Sequence, residues 1–186
     1  MSRNAPADAA LERQHGMSLI ELMVAIAVFA ILATMAFPMY STWIAGQQVR
    51  AAAESVLDGV RVAQGEAVKR NAPVRFVLDP SEGWEVQLVS DDSVLRKTTL
   101  REGSPKVKMS VAPSGTTTVV FDGLGRVLDK DQAPLAARIT IDIATSTAFT
   151  DARSMRVVID TAAATGVGIR SCDPKLSAGD PRACPT

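Results

Sequence analysis

Histidine is almost missing from this chain of 186 residues; the only one is His15. A Ser-His or Cys-His nucleophile pair therefore has a single imidazole to draw on. Cysteine is nearly as scarce, with Cys172 and Cys184 both near the C-terminus, and a metal site built on them would need further ligands. Net charge is lacking too. Lysine and arginine number 20 and so do aspartate and glutamate, which leaves no bulk electrostatic footprint for nucleic acid. Neither Gly123-Leu124-Gly125 nor Gly166-Val167-Gly168 sits in a strand-loop-helix phosphate cradle, and both read as turns. The carboxylates of Asp91, Asp92, Asp129 and Asp131 fall in polar loop stretches, where solvated turns are the simpler reading than an acid/base pair or a calcium site. These absences leave no catalytic residue, no metal ligand set and no cofactor motif to name. Of the function classes considered, an enzyme has the least support.

What the chain does have is a membrane-length apolar run with a carboxylate at its head. Gly16-Met17-Ser18-Leu19-Ile20-Glu21 leads into Leu22 to Phe37 and then Pro38-Met39-Tyr40. With Met17 to Ile20 in front, the run supplies about 20 residues, roughly what a ~30 Å hydrocarbon core requires. It can cross a membrane once. A carboxylate at one end of such a span is costly unless a cation meets it, so Glu21 is a functional residue by default. A secretory signal peptide has a basic start, a shorter apolar core and a small-residue cleavage site after that core. Here residues 1–16, MSRNAPADAALERQHG, are polar, and the processing-like Gly16 lies before the apolar run. The run is therefore expected to be retained. Pro38 lacks a backbone donor and its ring clashes with the preceding turn, which predicts a kink or local unwinding around Thr34 to Pro38.

Gly16, Met17, Ser18, Leu19, Ile20, Glu21 and Leu22 reproduce the pattern G-[FM]-[ST]-L-[ILV]-E-L, and over these residues the sequence resembles the type IV pilin-like proteins. Met17 stands where phenylalanine is commoner. The resemblance implies a leader, residues 1–16, cut after Gly16 by a membrane-embedded aspartic prepilin peptidase that N-methylates the new terminus at Met17. It also places Pro38 where such chains often carry a helix-melting proline. The leader would take His15 with it, along with Arg3, Arg13, Asp8 and Glu12, so the charge balance would persist without any histidine.

Beyond the run, Ile44 to Asn71 keeps a helical period. Val49, Ala52, Ala53, Val56, Leu57, Val60, Ala63, Ala67 and Val68 recur at three and four, with Arg50/Glu54 and Glu66/Arg70 as i,i+4 pairs on the other face. Asn71-Ala72-Pro73 supplies a stop. One helix from Met17 to about Asn71 is expected, apolar all round in its first half and one-sided in its second, where it should lie against a sheet. From Pro73 the signals are those of strands, at 74–79, 84–89, 106–111, 117–121, 138–143 and 155–159, with a final segment from Ile159 to Arg170 running on to Cys172. Turns are expected at Pro80 to Gly83, Pro113 to Gly115, Asp122 to Gly125 and Thr165-Gly166. A helix followed by short antiparallel strands is an α+β layout. With Phe121-Asp-Gly-Leu-Gly-Arg126 and the final segment, it resembles the FimT/FimU and GspH group of minor pilins and pseudopilins. The implied fold is pilin-like, a long N-terminal helix packed on an antiparallel sheet or sandwich. Residues 1–16 form the leader, 17–44 the transmembrane and assembly helix, and 45–186 a periplasmic domain.

Cys172 and Cys184 then fall outside the cytoplasm, where a disulfide persists. A disulfide is favoured over two free thiols and would staple a tail containing Pro174, Gly179 and Pro181, a closure contributing roughly 3 kcal/mol in the chain-entropy model. The resemblance implies a non-enzymatic subunit of a type IV pilus or type II secretion pseudopilus, held in the inner membrane and joining the fibre in a priming or tip complex. Its partners would be prepilin peptidase, other pilins or pseudopilins and the inner-membrane assembly platform. Glu21 would pair with the α-amino group of Met17 in an adjacent subunit. Some FimT-type minor pilins bind DNA in natural transformation through an arginine-rich tract before the C-terminal loop. At that place this sequence has Arg170 alone, with Lys175 and Arg182 inside the loop. Three cations suffice for weak, salt-sensitive DNA contact, and this is the alternative reading.

Overall fold

The computed structural model describes residues 16–133, 138–145, 153–161 and 167–185, apart from the side chains of Pro38, Arg101 and Glu102. It divides into two compact units, Met1–Met39 and Tyr40–Thr186. Helix α1, Leu19–Arg70, contributes to both.

In the first unit α1 starts at Leu19, two residues later than the apolar pattern suggests. Ser18 is the reason. Its hydroxyl accepts the amide of Glu21 at 3.2 Å, and its carbonyl accepts that of Leu22, also at 3.2 Å. Ser18 is thus the N-cap and occupies an orphan donor of the first turn. Leu22 to Phe37 follow with their large apolar side chains exposed, Phe37 at 75%. The expected unwinding around Thr34 to Pro38 does not occur, since the helix is assigned without a break through these residues. A proline removes one backbone bond, and the turns on either side remain helical.

In the second unit the other half of α1 is one-sided. Ala45, Val49, Ala52, Ala53, Val56, Val60, Ala63 and Ala67 are fully buried. Val68 departs from the expected stripe and is exposed. Glu66 and Arg70 form their i,i+4 pair at 2.7 Å. Arg50 and Glu54, both exposed, make no ion pair with each other among the described residues; a solvated pair gains too little to fix two long side chains. The helix stops at Asn71 in the left-handed conformation, φ 48°. The Asn71 amide bonds Val68 O and the Ala72 amide bonds Ala67 O, each at 3.2 Å. That is a Schellman ending with asparagine in place of glycine.

Nine strands follow among the described residues. Five make one antiparallel sheet in the order β3-β2-β1-β5-β6, from β1 (Val74–Asp79), β2 (Gly83–Leu88), β3 (Val94–Thr99), β5 (Thr118–Phe121) and β6 (Val127–Leu128). The second sheet is β4-β7-β8-β9, from β4 (Val107–Ala112), β7 (Ile139–Thr145), β8 (Met155–Asp160) and β9 (Gly168–Cys172). Between β3 and β4 lies the four-residue helix α2 (Leu100–Gly103). The inner side chains of both sheets, among them Phe76, Trp84, Phe121, Ile141 and Ile159, join the buried stripe of α1 in one core. The expected turns at Pro80 to Gly83, Pro113 to Gly115 and Asp122 to Gly125 are present, whereas Thr165-Gly166 lies outside the described residues.

The close approach of helix and sheet depends on Gly59. A Cβ there would sit 2.7 Å from Trp84 Cδ2 and 2.9 Å from Phe76 Cε2. Trp84 also donates its indole N–H to Ser55 Oγ, one turn earlier, at 3.0 Å. Gly59→Ala gains about 1 kcal/mol of helix propensity but overpacks this crossing, which typically costs about 1–3 kcal/mol. Two aromatic rings in the core give little room to retreat, so the expected result is net destabilisation, measured as a lower urea midpoint of the Tyr40–Thr186 domain. An unchanged or higher midpoint would show that the rings shift freely.

Candidate functional site

Two regions carry the candidate residues. The first is the start of α1. Gly16 and Met17 are exposed and precede the Ser18 cap, outside the helix. A scissile bond between them therefore lies in non-helical backbone that a peptidase can bind extended. Glu21 occupies the third helical position, with its amide taken by Ser18. Its carboxylate is exposed and has no ion-pair partner among the described residues. Ser18-Leu19-Ile20-Glu21 has capping-box spacing, yet only the serine half of the box is made here. The acidic side chain therefore remains available to a cation from elsewhere, and it lies at the helix end where negative charge is favoured.

The second region is the C-terminal loop. Cys172 and Cys184 form a disulfide. On β8, Val157 and Ile159 face the common core, so Arg156, Val158 and Asp160 face the other way. Arg156 lies opposite Cys172 and Val158 opposite Arg170, which puts both β9 residues on that outer face. The tail returns across it, for Arg138 Nη1 donates to Pro185 O at 3.3 Å. Val158 is 1% exposed although it stands outside the main core. Asp173, 5% exposed, holds the loop from inside. Its amide bonds Arg182 O at 2.8 Å, and its carboxylate accepts the Lys175 amide at 3.0 Å. Arg153 Nε approaches the same carboxylate at 3.8 Å.

The three candidate DNA contacts are not equivalent. Arg170 and Lys175 are exposed on β9 and in the loop. Arg182 is engaged, with Nε 3.1 Å and Nη2 2.9 Å from the Asp180 carboxylate. Hydrogen bonds from the Arg182 side chain and then its backbone N–H hold the Asp180 carboxyl down at about 2. A lowered carboxyl pKa stabilises the fold above its unfolded value of ~3.9 and ceases to do so as pH falls through about 2. The pair is therefore intact at neutral pH.

The remaining carboxylates read as turns. Asp91 accepts from the amide and hydroxyl of Ser93 at 3.2 and 2.8 Å. Asp92 pairs with Arg75. Asp129 accepts the amides of Asp131 and Ala133 at 2.9 and 2.8 Å. In the β5–β6 connection Asp122 accepts the amides of Leu124 and Arg126 at 3.0 and 2.8 Å. That connection also packs on the end of α1. A Cβ on Gly123 would lie 2.6 Å from Asn71 Oδ1, and Gln64 Nε2 donates to Gly125 O at 3.0 Å. Sequence reasoning missed this docking role, for which the unbranched Gly-x-Gly spacing is the only local sign.

Loss of the staple should be measurable. Replacing both cysteines by serine removes a closure over a sequence separation of 12, worth roughly 3 kcal/mol. For a domain of this size the expected effect is a Tm lower by about 6–12 °C in a non-reducing thermal melt. A shift under about 2 °C would mean that Asp173 and the Arg138 contact hold the tail without the bridge.

A membrane-length apolar helix continuing into an amphipathic half that fills the core of two antiparallel sheets is a pilin-like fold. A family model described as "Type II transport protein GspH" matches residues 52–163, and the prokaryotic N-terminal methylation motif matches residues 12–37. The chain belongs to the GspH family. It is 39% identical over 70 residues to the type IV major fimbrial protein FimA of Dichelobacter nodosus, a match covering 38% of this chain and 43% of that protein. The chain thus spans less than half the length of that relative. The Pseudomonas aeruginosa type IV minor pilin FimU has a similar fold, with TM-score 0.50, 16% identity and coverage of 67% of this chain and 89% of that one. The Vibrio cholerae type 2 secretion minor pseudopilin EpsH matches at TM-score 0.49 and 15% identity, over 69% of this chain and 99% of that one.

Proposed function

We propose that this protein is a non-enzymatic minor pilin or pseudopilin subunit that enters a type IV pilus or type II secretion pseudopilus through α1. The observation that carries the reading is the methylation motif at the head of an apolar helix that the protein leaves uncovered. The inner membrane solvates Leu22 to Phe37 before assembly, and neighbouring α1 helices cover the same surface afterwards. Prepilin peptidase removes residues 1–16 between Gly16 and Met17. Glu21 then meets the freed α-amino group of Met17 in an adjacent subunit, and Pro38 marks the end of the packed segment. Residues 17–44 act as membrane and assembly helix, and residues 45–186 stand in the periplasm, where the Cys172–Cys184 bridge is stable. The assembly platform and other pilins or pseudopilins are its partners, and a priming or tip position is its place in the fibre.

Co-expression with active prepilin peptidase should shorten the chain by its leader, whereas an inactive peptidase should leave the full-length form, with both products in the membrane fraction. Recovery of the chain as a soluble protein would oppose the reading. The loop is read as a staple and not as a DNA contact, because Asp180 occupies Arg182 and two exposed cations remain. Phosphate affinity grows with the number of cations brought to the backbone. The purified domain is accordingly expected not to retard duplex DNA at micromolar concentration. Salt-dependent retardation lost on Arg170→Ala, Lys175→Ala and Arg182→Ala would instead place the protein in DNA uptake.

A further inference from the structure

We propose that Tyr40, Trp43, Gln47 and Arg50, together with Arg153, form a docking surface for anionic lipid headgroups that seats the domain on the membrane. The proposal rests on the membrane reading above and goes beyond it. The four helical residues recur at i, i+3, i+7 and i+10 and are all exposed, while Ala45, Val49 and Ala52 on the opposite side are buried. They therefore make one face of α1 inside the Tyr40–Thr186 unit.

The order of chemistry along that face matches the order of layers at a bilayer surface. No charged residue lies between Glu21 and Arg50, and about 20 helical residues cross the hydrocarbon core. The uncharged residues that remain, from about Tyr40 onward, fall in the headgroup layer. Tyr40 and Trp43 come first, stacked with ring centroids 6.1 Å apart and Trp43 59% exposed. Exposed tryptophan and tyrosine are the residues of membrane–water interfaces, where an apolar ring meets a wet edge. Gln47 follows one turn on, and Arg50 another. A cleft of about 240 Å³ is lined by Gly46, Gln47, Arg50, Arg153 and Met155. Arg153 is 55% exposed at the side chain, and Asp173 approaches its Nε at 3.8 Å. Among the described residues the acidic groups nearby are that buried Asp173, Asp180, whose carboxylate feels the charge of Arg153 but is held by Arg182, and Glu54, one turn beyond Arg50. Two guanidinium groups on one cleft suit a phosphate, which each can engage through paired N–H donors.

The domain from Tyr40 to Thr186 contains its whole core and can be tested without the membrane span. Sedimentation with vesicles of phosphatidylcholine and phosphatidylglycerol, against phosphatidylcholine alone, is expected to show weak, salt-sensitive binding that needs the anionic lipid. Because Arg153 also faces buried Asp173, Arg50 is the variant of choice. Arg50→Ala should weaken anionic binding about five-fold, the equivalent of the ~1 kcal/mol that one basic residue contributes near such a surface, and Arg50→Lys should retain most of it. Trp43→Ala should weaken binding to the anionic vesicles without changing its salt dependence. Millimolar inorganic phosphate, matched in ionic strength with chloride, should leave the domain on the vesicles. Absence of binding, indifference to phosphatidylglycerol, an unaltered Arg50→Ala variant, or displacement by free phosphate would each overturn the assignment. None of these outcomes bears on leader cleavage or fibre entry, which are measured separately.

Discussion

Gly16→Val is expected to leave residues 1–16 attached, so that intact-mass analysis of the membrane fraction shows only the full-length chain. The physical reason is steric and local. Gly16 and Met17 lie in exposed, non-helical backbone ahead of the Ser18 cap, and nothing lies within 4 Å of where a Gly16 Cβ would be. The protein itself therefore tolerates the larger residue, and any loss of cleavage belongs to the peptidase pocket. Membrane insertion should persist, because Leu22 to Phe37 are untouched. Fibre entry should fail, since an uncleaved chain offers no α-amino group at Met17 to the carboxylate of an adjacent subunit. A normally trimmed Gly16→Val product starting at Met17 would count against the pilin reading.

Glu21→Ala should separate cleavage from assembly. Glu21 has no ion-pair partner among the described residues of its own chain, so its removal takes no intramolecular pair with it. In the fibre it would leave a neighbouring ammonium without its counter-charge in an apolar setting. Breaking a buried pair on one side typically costs about 3–5 kcal/mol, more than enough to lower incorporation ten-fold. Processing at Gly16 should continue at the wild-type rate. Immunoblots of sheared fibres and of total membranes read the two effects apart. Wild-type amounts of the Glu21→Ala subunit in fibres would show that helix packing alone recruits it.

Much of this was legible in the chain because the dominant signals are periodic. The apolar run, the stripe from Val49 to Ala67 and the alternation in β1 and β7 each follow from burial on one face, and the structure reproduces them to within a residue or two. What escaped has a common physical origin. β3 is an edge strand with most side chains exposed, so Val94-Leu-Arg-Lys-Thr-Thr99 shows no apolar alternation. β6 is two residues long and offers no period at all. Gly59 carries no pattern, because its importance lies in the rings of Trp84 and Phe76 that come from elsewhere in the chain. At Pro38 the expected local unwinding is absent, since one lost bond leaves helical turns on both sides. At the candidate site the motif residues and the cysteine pair could be named in advance. The capture of Arg182 by Asp180 could not, since two exposed charges at that spacing show no preference until the loop is folded.

Entry of the mature chain into a fibre through α1 is decided by mass spectrometry of sheared fibres from cells expressing the assembly machinery. The subunit is expected in that fraction, beginning at an N-methylated Met17 and carrying an intact Cys172–Cys184 bridge. A fibre fraction without it, with the same mature chain left in the inner membrane while the other subunits assemble, would show that α1 does not carry the chain into the fibre.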